Sequence, residues 1–112
     1  MPKKQRSRDW QIQWTEEGID SLWEGWAFIA SRSEEQADRM VEAAQRKVGN
    51  LQEHPYLGPV APELEGEPLE YRQLVLSPWP YRAIYRVEEA LETIWILRIH
   101  PTKMPLEEWL ED

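Results

Sequence analysis

Apolar and polar residues alternate over Trp10-Gln11-Ile12-Gln13-Trp14. A period of two predicts a short strand with Trp10, Ile12 and Trp14 on one face. The period then changes. Ile19, Leu22, Trp23, Trp26, Ile29 and Ala30 recur at three- and four-residue spacing, which predicts an amphipathic helix with these residues on its core face. Thr15 is placed to cap it, and Glu16 and Glu17 suit a first turn where the helix dipole favours negative charge. Ser33, with Gln36 three residues on, opens a second helix in the manner of a capping box. Its apolar stripe is Ala37, Met40, Val41, Ala44, Val48 and Leu51. Gly49 weakens its last turns and His54-Pro55 ends them. The short Ser31-Arg32 link makes the two helices an antiparallel hairpin.

Residues 54–70 hold four of the nine Pro and two of the five Gly, with Glu63, Glu65, Glu67 and Glu70. A long irregular connection of this kind is either a solvated acidic loop or a functional one. Three strands follow, Tyr71 to Leu76, Tyr81 to Val87 and Glu92 to Ile99, separated by turns at Ser77-Pro78-Trp79-Pro80 and Glu88 to Leu91. Connections this short predict an antiparallel meander. The acidic segment 104–112 is expected to form a turn or two of helix from Pro105, with Leu106, Trp109 and Leu110 toward the body. The order is β-α-α-β-β-β. The fold class is therefore α+β, a two-layer sandwich in which a helical hairpin covers one face of an antiparallel sheet and leaves the other for a partner.

Composition narrows the chemistry. At 112 residues the chain makes one domain. It has no Cys and only two His, His54 and His100, which removes thiolate catalysis, disulfides and a Cys- or His-rich metal centre. No apolar run approaches the roughly 18 residues of a membrane span. The basic segment 1–9 lacks the apolar stretch of a signal peptide and is expected to be a flexible arm. These features suggest a cytoplasmic protein with no membrane partner, cofactor or metal. Net charge is −8, and beyond Arg8 it is −12. Such a body repels nucleic acid unless a local basic pocket overcomes its field.

No phosphate loop, zinc-protease motif or nucleophile elbow is present. The distinctive feature is cationic. Arg72, Arg82, Arg86 and Arg98 lie within the apolar meander, followed by His100 and Lys103. Arg82, Ile84 and Arg86 share a strand face, as do Arg98 and His100 on the next strand. Together these groups form either an anion site or a set of arginines paired one by one with local acids such as Glu88, Glu89 and Glu92. Trp79, between two prolines at a turn tip, is either an exposed contact residue or a loop cover.

The chain resembles the RelE/ParE toxin superfamily, including its plasmid-stabilisation members, over about Trp14 to Lys103. The resemblance is carried by the element order and by Leu57-Gly58-Pro59-Val60-Ala61-Pro62-Glu63-Leu64, Tyr71-Arg72-Gln73-Leu74-Val75-Leu76, Tyr81-Arg82-Ala83-Ile84-Tyr85-Arg86-Val87 and Ile94-Trp95-Ile96-Leu97-Arg98-Ile99-His100. It is closer to the ParE branch. It implies a bacterial type II toxin that binds DNA gyrase and is neutralised by a cognate antitoxin in a hetero-oligomer, a homodimer being the other assembly. The RelE branch implies instead a ribosome-dependent mRNA endoribonuclease, with nucleic acid as a partner. In that case Arg72, Arg82 and Arg98 would hold phosphate, with His100 or Lys103 moving a proton. Here Leu74 replaces a lysine of the cleaving pattern, and no Tyr follows His100. The expectation is thus a toxin acting by binding rather than catalysis, with Arg72, Arg82, Arg86, Arg98 and Trp79 as target contacts. A degenerate, non-toxic partner-binding module is the third reading.

Overall fold

A computed structural model describes residues 10–110. The expected basic arm, 1–9, and the last two residues lie outside the described residues. The elements are β1 (Gln11–Trp14), α1 (Glu16–Ala30), α2 (Glu34–Gly49), β2 (Arg72–Val75), β3 (Tyr81–Glu88), β4 (Thr93–Pro101) and the single-turn α3 (Glu107–Leu110). Both helix starts follow the sequence: Thr15 Oγ1 accepts from Gly18 N at 2.9 Å and Ser33 Oγ from Gln36 N at 3.2 Å. Each hydroxyl satisfies a donor that the first turn leaves without an intrahelical acceptor.

The sheet order is β1-β4-β3-β2. β2, β3 and β4 form the expected antiparallel meander. β1 adds to β4 in parallel, so the whole sheet is mixed. A parallel neighbour requires a long crossover, and the chain between β1 and β4, helical hairpin included, supplies it. The β3–β4 register shifts between Ile84, opposite Arg98, and Tyr85, opposite Ile96. This bulge leaves Leu97 as an extra residue on β4. β1 ends at Trp14, and side chains of the helix start continue its pairing. Thr15 Oγ1 donates to Ile96 O at 3.1 Å, and Ile99 N donates to Ser21 Oγ at 2.8 Å.

The main core lies between hairpin and sheet; Met40, Val41, Ala44, Val48 and Leu51 of the predicted α2 stripe are in it, and Ala37 is buried as well. Burial of each larger member, such as Met40 or Leu51, contributes about 1.5–3 kcal/mol. α1 meets expectation in part: Leu22 is buried in the core and Trp26 and Ile29 pack against it, but Ile19 and Trp23 do not. Its buried face is Gly18, Ser21, Leu22 and Gly25, while Ile19 and Trp23 stand 44% and 50% exposed. The reason is the closeness of helix to sheet. A Cβ on Gly18 would lie 2.4 Å from Ile96 O, so at this crossing only a glycine fits, and the neighbouring Ile19 and Trp23 turn outward while Leu22 enters the core.

The second sheet face is not left open either. Ala61, Leu64, Ile84 and Leu106 form a smaller buried cluster beneath the 3-10 turn Pro62–Leu64 and the C-terminal segment. Tyr71 and Trp109 meet edge-to-face at its margin, ring centroids 6.3 Å apart. Once Ile84 points away from the hairpin, that apolar surface needs its own cover, and the loop and α3 provide it.

Candidate functional site: the cationic sheet face

Register places Arg82 opposite His100 and Ile84 opposite Arg98. Side chains paired in this way share a face. Arg86, two residues beyond Ile84, lies on it too and stands opposite Trp95. Arg72 does not join them. It pairs with Tyr85, which is buried in the main core, so it belongs to the hairpin side. Lys103 is exposed after β4. Trp79 is half-buried and packs against the main core as a cover for its turn.

Arg82 is 6% exposed, and both terminal nitrogens of its guanidinium are engaged, while Nε is left without an acceptor. Its Nη1 donates to Gln73 Oε1 at 2.7 Å and Glu63 Oε1 at 3.1 Å; its Nη2 donates to Glu63 Oε2 at 2.7 Å and Met104 O at 3.1 Å. The paired Arg82–Glu63 contacts form a two-pronged ion pair that ties the long loop to β3. The Arg82 hydrogen bond holds the Glu63 carboxyl below its ordinary value, although burial pushes the other way.

His100 is 2% exposed. Arg98 Nε donates to its Nδ1 at 2.9 Å, and its Nε2 stands 3.1 Å from Met104 O. A guanidinium only donates and a carbonyl only accepts, so the ring is neutral with its proton on Nε2. Burial, and then the nearby Arg98 charge, lower its pKa. Arg98 Nη1 donates in turn to Glu17 Oε2 at 3.0 Å, and the same oxygen accepts from Trp109 Nε1 at 2.6 Å. Glu17 thus fastens β4 and α3 to the start of α1.

Arg72 donates to Gly58 O at 2.7 Å, reaches Glu70 Oε2 at 3.4 Å and lies 5.0 Å from the centre of the Tyr56 ring. Tyr56 donates to the Glu89 carboxylate, which pushes its phenol up to about 12. Gly58 is required here because a Cβ would fall 2.2 Å from Gln73 O. Its N–H donates to the Tyr85 hydroxyl at 2.9 Å. Arg86 differs from the other arginines. It is half-buried, and its guanidinium has no hydrogen-bond or ion-pair acceptor among the described residues.

The acids that pair with the cations are Glu63, Glu17 and Glu70 rather than Glu88, Glu89 or Glu92. Glu88 instead accepts from Trp95 Nε1 at 2.8 Å. Glu17 and Glu63 lie far from their partners in sequence, and no local spacing signals them. A further feature is an apolar groove of about 540 Å3 between α1 and the end of β4. Phe28, Tyr81, Ile99 and Met104 line it, with Lys103 beside them. Among the described residues no group of three His, Cys, Asp or Glu side chains is placed to hold a metal ion, and no helix is long and apolar enough to cross a membrane.

Comparison with known proteins fits this geometry. The family described as ParE toxin of type II toxin-antitoxin system, parDE, matches residues 12–106. The chromosomal ParDE system of P. aeruginosa supplies a similar solved chain, with 25% identity, a TM-score of 0.68, and 85% of this chain and 98% of that one covered. The toxin fold also recurs in the intact E. coli RelBE toxin-antitoxin complex, at 16% identity and TM-score 0.55, covering 85% and 99% of the two chains. It recurs again in the RelBE2 complex of Mycobacterium tuberculosis, at 21% identity and TM-score 0.51, covering 88% and 98%. No curated protein sequence matches. A family match over most of the chain makes this protein a member of the ParE toxin family of type II toxin-antitoxin systems.

Proposed function

We propose that this toxin acts by binding DNA gyrase in the bacterial cytoplasm, without cutting a substrate, and that a cognate antitoxin neutralises it by covering the apolar groove beside α1. The observation that carries the proposal is the state of Arg82 and His100. Cleavage of RNA through its 2′-OH needs a cation free to meet the developing phosphorane charge and a group free to move a proton. Arg82 spends four hydrogen bonds inside the fold, and both His100 nitrogens are engaged. Leu74 and the absence of a Tyr after His100 point the same way. Arg86, Lys103 and the margin of the second sheet face remain for target contact. The antitoxin part draws support from the ParDE and RelBE relatives, which belong to toxin-antitoxin systems. Expression in a bacterial host tests the proposal. Growth arrest relieved by the product of the adjacent reading frame, with cellular mRNA left uncut, is the expected result. Arrest accompanied by mRNA cut during translation would transfer the chain to the RelE mechanism. No arrest from folded protein would leave a non-toxic binding module.

A further inference from the structure

We propose that the outward ridge of α1, made of the exposed Ile19 and Trp23 and backed by the half-buried Trp26, is a docking face for a cationic amphipathic helix of a partner protein. Ile19 is 44% and Trp23 50% exposed, although their spacing is that of a core stripe. The two indoles meet edge-to-face, centroids 6.2 Å apart. Trp26 Nε1 donates to Asp38 Oδ1 of α2 at 2.8 Å, which fixes that ring. The result is a partly preorganised aromatic ridge, the surface type that anchors protein contacts. Its electrostatic setting selects the occupant. α1 carries Glu16, Glu17, Asp20 and Glu24 and no Lys or Arg. Glu17 is engaged by Arg98, while Glu16, Asp20 and Glu24 are exposed around the ridge. A second copy docking through the same helix would set these acids against each other, and a polyanion would be repelled. A helix with Leu or Ile on one face and Lys or Arg along its flanks answers both the ridge and its rim. This assignment rests on the antitoxin reading for the partner's identity; it adds a second contact on a face of α1 apart from the groove, and the sign of that partner's charge.

The test uses the full chain and two synthetic amphipathic helices, one of Leu and Lys and the other with Glu in place of Lys, titrated calorimetrically. The Leu–Lys helix is expected to bind with an affinity that falls as salt rises, and the Leu–Glu helix to bind far more weakly. Trp23→Glu and Ile19→Asp each weaken the Leu–Lys complex about tenfold or more, whereas Glu65→Gln with Glu67→Gln on the distant loop leaves it unchanged. No binding of the Leu–Lys helix, equal binding of the two helices, or an affinity indifferent to both α1 substitutions would overturn the proposal. Growth arrest on expression reads the toxin assignment separately. A chain that arrests growth yet ignores the cationic helix loses only this docking face; one that binds the helix without arresting growth loses only the toxic action.

Discussion

Arg82 shows how a strand cation becomes part of the architecture. Its guanidinium sits 6% exposed between Glu63, Gln73 and the Met104 carbonyl. Truncating one member of such a pair leaves the other charged and under-solvated. Arg82→Ala should therefore cost about 3 kcal/mol of stability, read from chemical denaturation. Two shifted groups set the acid response. His100 titrates below its ordinary 6.5 in the fold, so the unfolded chain takes up its proton first and stability drains as pH falls from about 7. Glu63 titrates below its ordinary 4.5, so its contribution is full above that value and drains as pH falls toward the folded one. Melting temperature measured against pH should fall in two stages, and His100→Gln should flatten the first and leave the second.

At the scale of elements, the parts readable from the sequence were those governed by local chemistry. The caps Thr15 and Ser33 and the α2 stripe are set by residues within a turn of each other, and the structure places them as expected. Only part of the α1 stripe faces the core, because periodicity weighs size and apolarity, whereas the contact surface follows closeness. Gly18 meets the Ile96 carbonyl, so the heavy residues Ile19 and Trp23 were excluded from the interface. Two glycines in helices should consequently respond in opposite directions. Gly49 has nothing within 4 Å of an added Cβ and a helical backbone, so Gly49→Ala should gain roughly 0.5–1 kcal/mol from restricted unfolded-chain freedom. Gly18→Ala places a methyl 2.4 Å from a backbone oxygen and should lose roughly 1–3 kcal/mol despite the better helix propensity of alanine. Urea midpoints of the two variants decide the matter.

At the scale of the molecule, what the sequence could not show is long-range pairing. Glu17 reaches Arg98 and Trp109 across 81 and 92 residues, and Glu63 reaches Arg82 across an irregular loop. These contacts close the second sheet face and turn a row of cations into internal ties. The cover itself depends on Leu106, fully buried against Ile84, Ala61 and Leu64. Leu106→Ala should lower stability by about 2–3 kcal/mol and increase proteolysis after β4, as measured by denaturation and limited digestion. The same closure connects the fold to the mode of action. A face whose arginine and histidine are spent on structure is the ground for the proposed action by surface contact. The most direct test is supercoiling of relaxed plasmid by purified gyrase with added toxin, assayed beside translating ribosomes carrying a defined mRNA. The account predicts that supercoiling is inhibited and the message stays intact; unimpeded supercoiling together with a message cut on the ribosome would contradict it.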